Sequence, residues 1–204
     1  MKVKNIVLAA VVATSAFVGQ AYAANDSYVG LGFGSAKYDT AVSNVGGTAT
    51  LDEKDSAIKL FYGFNVAPRV AVELHYADFG ETSLKGNNGD TFDIGSSSFS
   101  FTANNASIVS ETTSFGVAGV FKLFEGATFN PYLKAGVHRW SFDATVSSAS
   151  SATASVSDDG FDVFFGLGAE VKLSDNFFVT AGFESYNVGD DDAAVATIAA
   201  KFVF

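Results

Sequence analysis

The sequence has no cysteine and only two prolines, and its 12 basic residues face 22 acidic ones. Without cysteine the chain has no disulfide, no thiolate metal site and no thiol to carry a lipid anchor. The shortage of positive charge, a formal net charge of −10, argues against nucleic acid as a partner. Histidine is scarce too, with only His75 and His138. Long apolar runs are missing as well: beyond residue 23 none reaches the ~20 residues that a spanning helix requires. Patterns for an EF-hand or a phosphate loop are also absent.

The first 23 residues read as a secretory signal peptide. Lys2 and Lys4 form its positive end, Ile6–Gly19 its apolar stretch, and Ala21-Tyr22-Ala23 a small-x-small cleavage site. The exported chain is expected to begin at Ala24, as one domain over 24–204.

What the chain has in quantity is phenylalanine, 21 of it, and glycine, 20, set in strict alternation. Ser56–Gly80 is the clearest case. Ile58, Leu60, Tyr62, Phe64, Val70, Val72, Leu74 and Tyr76 share one parity; Lys59, Gly63, Arg69, Ala71, Glu73 and His75 share the other, with Phe61 as the exception. A period of two is that of a pleated strand with two unlike faces. Both arms keep one parity if Val66-Ala67-Pro68 connects Asn65 to Arg69, a register that sets Lys59 opposite His75.

The same pattern recurs in Tyr28–Lys37, Thr113–Phe124, Tyr132–Phe142, Phe161–Leu173, Phe177–Tyr186 and Ala194–Phe204. Together these make eight strands, and a tilted membrane strand needs ~9–11 residues. Their connections alternate. Val66–Pro68, Glu125–Pro131 and Ser174–Asn176 are short; Asp39–Asp55, Glu81–Thr112 and Asp143–Gly160 are long and polar, and Asn187–Ala193 is brief. Short turns at one end and long loops at the other is the layout of an outer-membrane barrel. A soluble eight-stranded barrel such as a lipocalin has the same strand number. It would need a charged coat, whereas the second face here is mostly Gly, Ala, Ser and Thr, residues that suit a narrow interior. The fold class expected is therefore all-β: an eight-stranded antiparallel up-and-down transmembrane β-barrel.

The segments YGFNVAPRVAVELHYADFG, NPYLKAGVHRW, GLGAEVKLSDN and FES and the terminal AAKFVF carry a resemblance to the transmembrane domain of the OmpA family, and to small porin-family and opacity-type barrels. The resemblance spans nearly all of Ala24–Phe204 and implies an outer-membrane location. The family's peptidoglycan-binding domain has no counterpart in the sequence, so cell-wall tethering is not expected. Phe202 and the last residue, Phe204, resemble the signal read by the barrel-assembly machinery, which with periplasmic chaperones, outer-membrane lipids and lipopolysaccharide forms the expected set of partners. A monomer is expected.

The resemblance further implies that Glu73, Lys134, Glu170 and Glu184 are inward-facing charges. Gly182 stands where the family carries a basic residue two before Glu184, and Lys59 is the expected substitute. With His75 and His138, these residues form a candidate lumen charge network. Two readings remain open: charges that pair to fill a structural barrel, or a gated small pore for ions or small solutes. A lumen of this size is just filled by side chains, so a wide channel is not expected.

No catalytic residue, cofactor or metal is expected. A lipase needs a Ser/His/acid constellation, and Ser141, near His138 in sequence, lies on the opposite face. The two histidines with Glu73 are a weak metal set against plain hydrogen bonding. Arg139 falls by parity on the lipid face, either reaching lipopolysaccharide phosphate or turned inward by a bulge. The long loops, notably Ser147–Ser157 and the acidic clusters Asp52–Asp55, Asp158–Asp159 and Asp190–Asp192, read as mobile solvated chain.

Overall fold

The computed structural model describes residues 27–148, 151–189 and 191–204. The signal-peptide segment lies outside them, as do Asp190 and part of the 147–157 stretch.

Twelve strands run in chain order: β1 (Ser27–Asp39), β2 (Val42–Ser43), β3 (Thr50–Asp52), β4 (Lys54–Ala67), β5 (Val70–Gly86), β6 (Thr91–Ile94), β7 (Ser97–Ser100), β8 (Ala106–Lys122), β9 (Phe129–Ser148), β10 (Ser151–Lys172), β11 (Phe177–Val188) and β12 (Asp191–Val203). Eight of them close an antiparallel barrel. β1 pairs with both β4 and β12, and the ring runs β5-β4-β1-β12-β11-β10-β9-β8, sealed by β8 on β5. Closure leaves no strand edge within the ring, so the backbone ladder is satisfied without water.

The two faces divide as the alternation requires. Phe33, Ile58, Leu60, Phe115, Leu133, Phe165, Leu167 and Ile198 are exposed on the outer wall, while Ala57, Ala71, Ala77, Ala118 and Ala199 are buried inside. An apolar exterior around an interior of small and polar groups is the arrangement for lipid, not water. Phe61 points inward at 7% exposure and packs edge-on against Tyr28, ring centroids 6.2 Å apart.

The expected register of the first hairpin is corrected. Lys59 lies opposite Ala77, and His75 opposite Phe61. The turn is tighter than read, with Ala67 paired to Val70, and Val66 forms a bulge between Asn65 and Ala67. A bulge adds one unpaired residue, and with the shorter turn it slides the pairing by two, which preserves parity and so leaves no trace in the alternation.

The long connections also differ from expectation. β9 and β10 remain paired in the Asp143–Gly160 stretch up to Ser148 and from Ser151, with an irregularity between Ser151 and Ala154. That stretch has no proline, and no glycine before Gly160, so nothing in it interrupts the ladder. Likewise β5 and β8 pair up to Gly86 and Ala106, after a bulge at Asp78–Glu81 where Gly80 takes φ 72°. β11 and β12 continue to Val188 and Asp191, shortening the connection read as Asn187–Ala193.

Above the barrel, β2, β6 and β7 form a second, three-stranded sheet. Under it Leu84, Phe92, Phe101 and Ala106 make a separate buried cluster, joined by Val42, Leu51 and Ile108. Asp90 pins this cap: its carboxylate accepts from the Thr48 amide at 2.9 Å, the Thr48 hydroxyl at 2.7 Å and the Asn87 amide at 2.8 Å. These bonds, the backbone donors first, hold the Asp90 carboxyl below its ordinary value of 3.8. A depressed carboxyl contributes stability that is present above the ordinary value and lost as pH falls through the folded one. The cap is therefore expected to resist pepsin at pH near 4.5 and open to it near pH 2, whereas Asp90→Asn is cut at both. Equal resistance of both proteins at both pH values would contradict this role.

Candidate functional site

The interior is a column of charges and rings. At the short-turn end, Glu170 on β10 meets Lys201 of β12 in direct contact and Lys122 of β8 at 3.4 Å. Above it, Lys134 of β9 lies 2.5 Å from Glu73 of β5 and 3.0 Å from Glu184 of β11. Lys59 of β4 contacts the other oxygen of Glu184. Lys59, Glu73, Lys134 and Glu184 are all buried, between 3% and 7% exposed.

Local sequence explains these meetings. Lys134, Gly166 and Glu184 occupy one row across three adjacent strands. Gly166 has no side chain to separate them; a Cβ there would lie 2.7 Å from Glu184 Cγ. Tyrosines satisfy the remaining lone pairs: Tyr186 donates to Glu184 at 2.6 Å and accepts from Lys59 at 3.0 Å, and Tyr28 donates to Glu73 at 3.3 Å. Buried charges need this density of partners to offset lost hydration.

Over the charges lies an aromatic layer. Phe164 and Tyr186 stack, centroids 4.7 Å apart and 8° from parallel, and His75 meets Phe164 edge-on at 4.8 Å. Ser114 Oγ lies 2.9 Å from His138 Nδ1 and 3.4 Å from His75 Nε2, and His138 Nε2 donates to the Asn187 carbonyl at 2.9 Å. Phe79 and Trp140 close the column toward the cap.

The structure thus brings Lys59, Glu73, Lys134 and Glu184 into one network and puts Glu170 in a second. The histidines stand apart from both, linked to each other through Ser114 and not to a carboxylate. The expected Lys59–His75 opposition is replaced by Lys59 reaching across the lumen to Glu184. Lys122, Lys201, Tyr28, Tyr186 and Phe164 were not among the candidates. By strand parity both lysines point inward, but which strands face each other across a closed barrel is not a property of local sequence. Ser114, not Ser141, is the serine beside a histidine, at 1% exposure and with a backbone carbonyl on the second imidazole nitrogen where a triad has an acid.

On the outer wall Arg139 keeps its parity without a bulge and points outward, paired with Asp159 at 3.1 Å, both side chains 55% exposed. Tyr76, Phe115, Arg139 and Phe161 form one row across four neighbouring strands. An aromatic row on a lipid-facing wall marks the membrane interface, where an arginine is tolerated. At the opposite end Phe202 and Phe204 lie outward, 49% and 61% exposed, centroids 6.4 Å apart.

Comparison with protein families matches residues 6–204 to the outer membrane protein beta-barrel domain. Among solved structures, the chain is similar to OprG of Pseudomonas aeruginosa, with 17% identity, TM-score 0.59, and 89% of this chain and 96% of that one covered. It is also similar to Ail of Yersinia pestis in complex with sucrose octasulfate, with 15% identity, TM-score 0.57 and coverages of 88% and 99%. Neisserial surface protein A gives 13% identity, TM-score 0.56 and coverages of 87% and 97%. At such identities the likeness is one of fold. Comparison with curated proteins gives no match.

Proposed function

We propose, from the premise that this chain belongs to the outer membrane protein β-barrel domain family, that it is a structural barrel of the outer membrane, serving envelope integrity and surface contact. The observation that supports this over a pore is the filled lumen. Two ion-pair layers and the Phe164–Tyr186 stack occupy it, and the cavity between the ion-pair groups measures about 30 Å³. The family of small barrels is typically non-enzymatic, and we assign this chain no catalysis.

In this reading the cap and the β9–β10 hairpin face the exterior, and the row with Arg139 sits at the outer interface. Arg139 shares its charge between Asp159 and lipopolysaccharide phosphate. Cells lacking the protein are expected to become sensitive to detergent and to leak periplasmic enzymes, without losing uptake of any small solute. A selective loss of solute uptake with an intact envelope would overturn the reading.

Phe202 and Phe204 would serve assembly. Changing Phe204 to aspartate is expected to lower the amount of heat-modifiable barrel in the outer membrane, while barely moving the urea midpoint of protein refolded in lipid. Normal membrane levels of that variant would remove the assembly role. The barrel-assembly machinery, periplasmic chaperones and surrounding lipid are the partners proposed.

A further inference from the structure

The buried charges do not balance. Lys59, Lys122, Lys134 and Lys201 face only Glu73, Glu170 and Glu184. The upper group closes on itself, two lysines with two glutamates. The excess sits in the lower group, where Lys122 and Lys201 share Glu170 alone. Among the described residues neither lysine pairs with any other carboxylate. Lys201 takes the close contact, leaving Lys122 at 3.4 Å, with its side chain 15% exposed at the short-turn end.

Between the two groups lies the cavity of about 30 Å³, whose wall carries all four lysines and all three glutamates, a net excess of one positive charge, together with the hydroxyl-bearing Tyr132, Thr180 and Thr197. A space of this size holds one water-sized species. An uncompensated ammonium deprived of bulk water loses hydration that only a partner can replace. The site thus combines positive excess, hydroxyl donors and room for one small occupant.

We propose that this cavity binds one small monovalent anion of the size and charge of chloride, held by Lys122 and Lys201 and entering from the short-turn end. The anion completes the lower charge group as Glu184 completes the upper one.

The test uses the whole barrel refolded in vesicles of neutral phospholipid and unfolded with urea at fixed sodium concentration. Chloride is exchanged stepwise for gluconate, which is too bulky for the cavity. The wild-type midpoint is expected to rise saturably with chloride, with bromide able to replace it. Lys122→Gln removes the excess charge, and its midpoint is expected to stay flat across the series. A wild-type midpoint indifferent to the anion overturns the proposal, as does a Lys122→Gln midpoint that climbs like the wild type. Crystals soaked in bromide read the site directly. An anomalous peak between Lys122 and Lys201 is expected, and a cavity holding only water overturns the assignment.

Discussion

Replacing Glu184 with glutamine is expected to destabilise the barrel by about 3–5 kcal/mol, the usual cost of stripping one partner from a buried pair. Glu184 is the only carboxylate that bridges two ammonium groups of the upper network, Lys59 through one oxygen and Lys134 at 3.0 Å through the other. Its loss leaves Lys59 with the Tyr186 hydroxyl alone, whereas Lys134 keeps Glu73. The double change Glu184→Gln with Lys59→Met removes both members of one pair and leaves Lys134–Glu73 intact. It is therefore expected to recover a good part of the loss. Glu73→Gln should cost less than Glu184→Gln, because Lys134 retains Glu184. Urea unfolding in lipid of the wild type, Glu184→Gln, Lys59→Met and the double variant measures the cycle. Additive losses for Glu184 and Lys59 would mean that the two do not pair.

The second large effect is expected from Phe164→Ala, at about 3–5 kcal/mol for deleting a fully buried ring. Phe164 is 0% exposed and touches three other rings: Tyr186 stacked at 4.7 Å, His75 edge-on at 4.8 Å and His138 edge-on at 5.9 Å. The backbone opposite cannot move in to fill the gap, since Gly136 already approaches so closely that a Cβ there would lie 2.6 Å from the Phe164 ring and 2.2 Å from the Val117 carbonyl. Phe164→Leu refills part of the volume and should lose clearly less. The urea midpoints of the two variants in lipid order this directly, and equal losses would show that ring volume is not what Phe164 supplies.

Much of this architecture is legible in the sequence because a barrel in lipid makes two opposite demands on alternate residues. Ile58, Leu60 and Tyr62 must suit lipid, and Ala57, Lys59 and Phe61 must fit the lumen, so the strand and both its faces appear in local order. The alternation of short and long connections is visible too, although the turn after Asn65 is tighter and the 187–193 connection shorter than read. Three things are not local. The Val66 bulge and the tighter turn together shift the hairpin by two residues and conserve parity, so no pattern records it. The partner of Lys59 lies 125 residues away on a strand that becomes its neighbour across the lumen only when the ring closes.

The cap shows a third limit. β2, β6 and β7 have two to four residues each, too short to stand alone, and the cap's own Phe92 and Phe101 pack against Leu84, Ala106 and Ile108 on the heightened wall. The alternation Phe92–Ile94 and Phe99–Phe101 was present, but polar composition around it reads as loop. Serine and alanine in the 147–157 stretch signal solvation; they do not forbid pairing, and β9 and β10 pair there.

Paired charges and stacked rings close the lumen, and recording the purified protein in planar lipid bilayers tests that closure most directly. With the wild-type barrel inserted, no discrete current steps are expected at moderate voltage in molar potassium chloride. Reproducible unitary steps that change in size or ion selectivity in Glu184→Gln would contradict it, and would make the same residues the gate of a pore.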